Sequence, residues 1–108
     1  MNEITVFYVP VPDAAAGLAL ARAAVTADLA ACGNVMGPMT SVYRWEGVLQ
    51  EEAEHLLLLK TRADQADALS ALLERLHPYE CPCLLRLPEG TANPAYAAWV
   101  RDQLVPTA

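Results

Sequence analysis

Positive charge is scarce in this sequence. Lys60 is its single lysine and six arginines are scattered along the chain, against 13 acidic residues, so the formal net charge is −6 at pH 7. Binding to nucleic-acid phosphates or to anionic membranes requires clustered lysines and arginines. The composition therefore predicts that neither nucleic acid nor a membrane is a partner. The acidic residues Glu51, Glu52 and Glu54 are predicted to form a solvated hairpin tip rather than a cation site.

Long apolar runs are also missing. Met1-Asn2-Glu3 has no positive charge, and the apolar segment that follows is broken by Pro10 and Pro12. A secretory signal needs a basic start, and a membrane-spanning helix needs about 20 apolar residues in succession. We therefore expect a cytoplasmic protein. Cysteine is infrequent too, and three cysteines in a reducing compartment are predicted to be free thiols.

The chain has the size of one domain. No Gly/Ser-rich or charged linker divides residues 1–108, which are predicted to form a single unit. Its hydrophobic fraction is 55%, above the roughly 45–50% of an average soluble domain. Since a domain this small leaves about a third of its unfolded-chain surface exposed, the surplus of apolar residues predicts an oligomer.

Hydrophobic periodicity predicts an alternating order of strands and helices. Asp13 and Asn93 are candidate helix caps, Gly37-Pro38 is a candidate bulge or bend, and His77-Pro78 ends the second helix. The predicted order is β-α-β-β-α-β-α, with strands at 4–9, 33–48, 53–61 and 84–87, and helices from 13 to about 29, from 64 to 76 and from 93 onward.

Helical spacing also predicts which residues are buried. The run 56–59 has no polar alternation, so its strand is predicted to be central and covered on both faces. The predicted buried helix faces comprise Leu18, Ala21, Val25 and Leu29; Leu69, Leu72, Leu73 and Leu76; and Tyr96, Trp99 and Val100.

This order is the ferredoxin-like split βαβ arrangement of the α+β class, with one additional C-terminal helix. Its second and third strands are longer than the usual five or six residues and are expected to project from the domain as a hairpin. Because unpaired strand edges aggregate unless they are covered, the projecting hairpin again indicates more than one copy.

Five segments of the sequence together resemble the divalent-cation tolerance protein CutA family, nearly end to end and in order. They are Ala30-Ala31-Cys32-Gly33-Asn34, Ser41-Val42-Tyr43-Arg44-Trp45-Glu46-Gly47, Lys60-Thr61, His77-Pro78-Tyr79-Glu80-Cys81-Pro82, and Gly90-x-x-Asn93-Pro94-x-Tyr96-x-x-Trp99. The resemblance implies a homotrimer with hairpins paired edge to edge, similar in assembly to the P-II signalling proteins. It also implies a role in tolerance to, or binding of, divalent metals such as copper.

The resemblance nominates two metal ligands. Cys32 stands where the family has its cysteine, and His77 aligns with a histidine assigned to copper in some relatives. Two further ligands of those relatives are replaced here by Leu76 and Val9. Each nominated residue also has a structural interpretation: Cys32 as a small buried hydrophobe, and His77 as a cap over the last carbonyls of its helix.

Cys81 and Cys83 form a pair of thiols, and the resemblance more often implies an acidic residue at the position of Cys83. Two residues apart in an extended backbone, they point to the same side about 6.6 Å apart at Cα. That spacing is near the upper limit for a disulfide and allows two thiolates to converge on one soft ion. Copper or another divalent metal is thus the expected cofactor, and no organic cofactor is expected.

Three large amphipathic side chains lie in the segments 41–47 and 77–82. Tyr43, Trp45 and Tyr79 are the residue types that pack at subunit interfaces or stack on ligands, and subunit packing is the favoured interpretation.

Catalytic motifs are absent. The sequence has no GxxxxGK[ST] or GxGxxG loop for nucleotide phosphates, and the segment 10–13 has no arginine to cradle an anion. A nucleophile pair formed by Cys81 or Cys83 with His77 would have neither an orienting group nor an oxyanion hole. We therefore expect a protein that is not an enzyme. The main alternative to metal binding is a structural or signalling trimer that binds a small molecule or a protein at its subunit clefts.

Overall fold

A computed structural model describes residues 4–104, apart from the side chains of residues 88 and 89. A short 3₁₀ turn, Ala63–Gln65, leads into the second helix. The elements are β1 (Ile4–Val11), α1 (Ala14–Thr26), β2 (Cys32–Trp45), β3 (Val48–Arg62), α2 (Ala66–Leu76), β4 (Leu85–Gly90) and α3 (Pro94–Asp102).

The four strands form one sheet in the order β2-β3-β1-β4, and all neighbouring strands are antiparallel. This is the predicted ferredoxin-like topology with its additional C-terminal helix. One face of the sheet packs against α1 and α2. Its core consists of Phe7, Val9, Val11, Leu57 and Leu59 from β1 and β3, all fully buried against apolar residues of the two helices.

Helix α1 begins as predicted but packs through a different face. The Asp13 carboxylate accepts the backbone N–H of Ala16 at 2.8 Å, which caps the helix. The helix ends at Thr26, before the predicted Leu29, and exposes Leu18 and Val25. Its buried face comprises the mostly small residues Gly17, Leu20, Ala21 and Ala24. The prediction followed the bulkiest side chains, whereas close approach to the sheet selects small ones.

Helix α2 ends at Leu76, as Pro78 predicted. It begins later than predicted, and its last leucine is not buried. The predicted opening residue Asp64 lies in the 3₁₀ turn and pairs with Arg62. Leu69, Leu72 and Leu73 are buried, whereas Leu76 is 44% exposed. The last predicted position falls outside the core because the helix ends there and the chain turns away.

The last strand and helix also differ from the predictions. β4 extends to Gly90 rather than stopping at residue 87, and its register with β1 shifts between Ile4 and Val6. In α3, Val100 is buried as predicted, but Trp99 is 42% exposed and Tyr96 is half-buried. A nine-residue helix at one end of the sheet covers too little area to bury both rings.

The second face of the sheet is largely uncovered in the single chain, and we call it the open face. Helix α3 covers one end of it, where Ile4, Ala31, Ala97, Val100 and Leu104 form a small core. Elsewhere on this face Val6, Tyr8, Leu56 and Leu58 are half-buried, and Leu85 and Leu87 are exposed. Of the leucines predicted to lie in a strand covered on both faces, only Leu57 and Leu59 are therefore fully buried here.

The β2–β3 hairpin projects from the domain, as predicted. β1 pairs with β3 only from Arg62 to His55, so the outer part of β3 pairs with β2 alone. Residues 39–54 form this projecting part, the hairpin arm. Its turn is at Glu46-Gly47, where both residues have positive φ, the requirement of a tight type I′ turn. Apolar side chains at positions 42, 48 and 49 are about 60% exposed on it.

The base of the arm is marked by an irregularity at Gly37-Pro38, as predicted. The pairing of β2 with β3 shifts register between Met36 and Met39. Gly37 has a φ of 143°, and a Cβ there would lie 2.9 Å from the His55 ring. Only glycine meets both conditions.

No helix within residues 4–104 is long and apolar enough to cross a membrane. The longest, α1, has 13 residues.

Thr61 provides a test of how β3 is joined to the loop that follows α1. Its fully buried hydroxyl donates a hydrogen bond to the Leu29 carbonyl at 2.8 Å. Thr61→Val keeps the shape but leaves that carbonyl unpaired, so the free energy of unfolding should fall by about 1–3 kcal/mol. Urea denaturation at fixed protein concentration measures the change. Thr61→Ser keeps the hydroxyl and should lose less; equal losses in the two variants would contradict the role of the hydrogen bond.

Candidate functional site

A cleft of about 480 Å³ lies between the hairpin arm and the loop of residues 77–84, which joins α2 to β4. Pro10 at the end of β1 forms part of its wall. The cleft brings together five residues that the sequence nominated separately, for metal binding or for an interface. They are Tyr43, Trp45, Tyr79, Cys81 and Cys83.

The strand period explains how the arm contributes to the cleft. Successive side chains of a strand alternate between faces, so Tyr43 and Trp45 point to the same side. Across the hairpin Trp45 pairs with Val48, Tyr43 with Gln50 and Met39 with Glu54. The register therefore places Glu54 on the face that carries the two aromatic rings, further toward the base of the arm.

His77 fastens the loop to the end of β1. The side chain is 7% exposed. Nδ1 accepts the backbone N–H of Tyr79 at 3.1 Å, so Nε2 carries the proton and donates to the Pro10 carbonyl 2.9 Å away. The ring also lies 4.8 Å from that of Tyr79. The expected structural role of His77 thus takes another form: the ring contacts β1 and its own loop rather than the last carbonyls of α2.

Tyr79 joins the loop to the arm. Its hydroxyl donates a hydrogen bond to the Glu54 carboxylate at 2.7 Å. Burial raises the pKa of Tyr79 well above its usual range, and the hydrogen bond and negative charge of Glu54 raise it further. Loss of the phenolic proton would place a second anion beside the carboxylate.

Glu54 itself was missed by the sequence reasoning. It was grouped with Glu51 and Glu52 as a solvated hairpin tip, but the turn is at Glu46-Gly47 and all three glutamates lie within β3. Glu51 and Glu52 are exposed, whereas Glu54 is only 8% exposed. The signal that would have separated it is positional. It lies at the base of the arm, where β3 begins to pair with β1 one residue later, at His55.

The three cysteines lie in two places. Cys81 and Cys83 are exposed and line the cleft, and the Cys83 sulfur is 3.9 Å from the Tyr8 carbonyl oxygen. Cys32 is half-buried at the start of β2, with its sulfur 3.8 Å from Asn34 Oδ1, and does not line the cleft. Within residues 4–104, no three His, Cys, Asp or Glu side chains are arranged as a metal site.

The charge of the cleft has one sign. Glu54 and Glu80 are among its lining residues, and no lysine or arginine is. The two thiols become additional anions when they ionise or bind a metal. A cleft of this composition attracts cations and disfavours anions.

The Tyr79–Glu54 contact predicts that Tyr79 keeps its phenolic proton to unusually high pH. Because the folded state raises the pKa of Tyr79, its contribution to stability is complete below pH 10 and is lost as the pH rises above that value. Ultraviolet absorbance should show one late-ionising tyrosine that is missing in Tyr79→Phe. In Glu54→Gln the transition should move to lower pH, and Glu52→Gln, which changes an exposed residue on the same strand, should leave it in place. An unchanged transition in Glu54→Gln would contradict the coupling.

Comparisons with known proteins agree with this fold. The family model described as CutA1 divalent ion tolerance protein matches residues 5–103. A CutA homologue of Xenopus laevis is 40% identical over 101 residues, covering 94% of this chain and 67% of that protein. The divalent-cation tolerance protein CutA of Thermus thermophilus is 37% identical over 102 residues, covering 94% and 97%.

The solved structures agree as well. The crystal structure of CutA1 from Oryza sativa superposes with a TM-score of 0.92 at 37% identity, covering 97% of this chain and 96% of the other. The chain spans little more than half the length of the chloroplastic and mammalian relatives it matches. The match to the family model nevertheless covers almost all of the present chain. The chain belongs to the CutA1 divalent ion tolerance family.

Proposed function

We propose that this protein acts in divalent-cation tolerance by binding copper or another soft metal ion, as a cytoplasmic homotrimer without enzymatic activity. The observation that carries the proposal is the cleft, where two thiols and two carboxylates line one cavity and none of the described lining residues is cationic. The relative from Thermus thermophilus is named for divalent-cation tolerance. With a net charge of −6, the proposed partners are metal ions and further copies of the chain, not nucleic acid or membranes.

The thiol pair sets the expected metal preference. Thiolates select soft ions such as Cu(I), whereas Mg²⁺ and Ca²⁺ prefer oxygen ligands. Cys81 and Cys83 are exposed, so an ion reaches them without local unfolding. His77 is less available, because both of its ring nitrogens are engaged and a metal would have to displace Tyr79 or Pro10. Cys32 would form a separate site, at a distance from the cleft in the fold.

Two uncovered surfaces support the proposed trimer. The open face leaves Leu85 52% and Leu87 36% exposed, and the hairpin arm leaves Val42 and Leu49 each 62% exposed. A two-stranded hairpin is only marginally stable by itself, and its unpaired edge invites a further strand. Association of copies through these surfaces would bury both. The number three comes from the resemblance to the family, which implies a P-II-like homotrimer with hairpins paired edge to edge.

A second candidate function has its own support. A trimer that binds a small molecule or a protein at its clefts needs a cavity of suitable size, and about 480 Å³ falls within the range of roughly 300–1,000 Å³ typical of ligand pockets. The aromatic walls of the cleft are also typical of such pockets.

The assembly is tested by light scattering at micromolar concentration, which should give about three times the 11.6 kDa mass of the chain. Leu85→Glu places a charge on the open face and should dissociate the assembly. Leu18→Glu makes the same change at a similarly exposed leucine on α1 and should leave it intact. A monomeric native chain, or equal dissociation by both variants, would sink the proposed assembly.

Copper binding is tested by competition with a Cu(I) chelator in reducing buffer. The double change Cys81→Ser with Cys83→Ser should abolish binding at the cleft, while Cys32→Ser or His77→Ala alone should affect only a family-like site. Binding should weaken as pH falls, because protons compete for the thiolates. Neither Mg²⁺ nor Ca²⁺ should compete. Undiminished copper binding in all of these variants would show that none of the four residues is a ligand.

A further inference from the structure

The walls of the cleft contain more aromatic surface than a metal site requires. Tyr43 and Trp45 face it from the hairpin arm, and Tyr79 faces it from the opposite loop. These are three of the seven aromatic residues in the whole sequence, gathered at one cavity. Aromatic rings present a negative face, which attracts a cation within about 6 Å of the ring centre.

The rings are partly accessible in the chain. Tyr43 is 42% and Trp45 is 45% exposed, and Tyr79 is half-buried. The hydrogen bond from Tyr79 to Glu54 fixes the position of the phenol ring. His77 fixes the backbone of the same loop by accepting the Tyr79 N–H. One wall is therefore preorganised, which lowers the entropic cost of binding.

The charges of the cleft select the kind of ligand. Among the described residues that line it, the charged ones are Glu54 and Glu80. An anionic ligand would be repelled, and a neutral one would gain hydrogen bonds at most, without the attraction between opposite charges that a cation gains from the carboxylates. Aromatic rings combined with carboxylates are the combination that recognises quaternary and methylated ammonium groups, as in aromatic cages.

We propose that the cleft binds a small organic ammonium cation, held by the faces of Tyr43, Trp45 and Tyr79 and by the charges of Glu54 and Glu80. This inference rests on the second candidate function, that the cleft takes a small molecule, and it supplies the chemical class of that molecule. Ammonium binding does not require the thiols of Cys81 and Cys83, so it can be tested separately from copper binding.

The test is a titration of the intact ¹⁵N-labelled protein, with amide shifts read by nuclear magnetic resonance. Tetramethylammonium is the probe, and tert-butanol is an uncharged compound of similar size. Tetramethylammonium should produce saturable shifts at residues 43, 45 and 79, and tert-butanol should bind about tenfold more weakly, the loss expected for removing the charge at a partly desolvated site. Acetate should produce no saturable shift there.

Matched variants assign the effect to the residues named. Glu54→Gln removes the charge but keeps an oxygen that accepts from Tyr79, and it should weaken tetramethylammonium binding several-fold. Glu52→Gln alters an exposed carboxylate that does not line the cleft and should not. Trp45→Leu should weaken binding, and Trp45→Phe, which restores a ring, should rescue it. Light scattering confirms that each variant keeps the native assembly.

The outcomes separate the inference from the function on which it rests. Equal binding of tert-butanol and tetramethylammonium, tighter binding of acetate, or unaltered binding in Glu54→Gln would overturn the ammonium inference and leave a small-molecule site. A mixture of neutral, anionic and cationic fragments, read by the same amide shifts, tests that site. If no fragment moves the cleft resonances, the small-molecule function is overturned together with the inference.

Discussion

The unequal lengths of neighbouring strands are the constraint on which the rest of this structure depends. β3 has 15 residues and β1 has eight, so half of β3 has no partner on its inner edge. This mismatch creates the hairpin arm and brings Tyr43 and Trp45 beyond the compact domain. It also leaves apolar surface on the arm that no other part of the described chain covers. The cleft and the proposed assembly both follow from the same difference in length between β3 and β1.

A short chain of polar contacts turns the arm and the loop into a defined cavity. His77 joins the loop to β1 through the Pro10 carbonyl, and Tyr79 joins the loop to Glu54 on the arm. His77, which was nominated as a metal ligand, therefore has a structural explanation for its buried position. Burial of Glu54 beneath the tyrosine hydroxyl keeps a carboxylate inside the cleft, where none of the described lining residues is cationic. This charge balance favours positive over negative ligands.

Metal binding and ammonium binding place different demands on the same cleft. The thiols of Cys81 and Cys83 would hold a soft ion at the loop, whereas the rings of Tyr43 and Trp45 would hold an organic cation against the arm. Both kinds of binding are favoured because none of the described lining residues is a lysine or an arginine, which would repel a cation. Family membership accounts for the fold and for the association with divalent-cation tolerance.

The sequence by itself determined the ferredoxin-like order of elements, the cap at Asp13, the bulge at Gly37-Pro38 and the family, because each depends on local backbone chemistry or on residues adjacent in the chain. It misplaced the buried face of α1, since the choice of small over bulky side chains depends on how closely the helix meets the sheet. Only the tertiary structure separated Glu54 from its acidic neighbours and turned His77 toward Pro10. The Tyr79–Glu54 contact spans 25 positions of the sequence and the His77–Pro10 contact spans 67. Local sequence patterns carry no information about pairings over such distances.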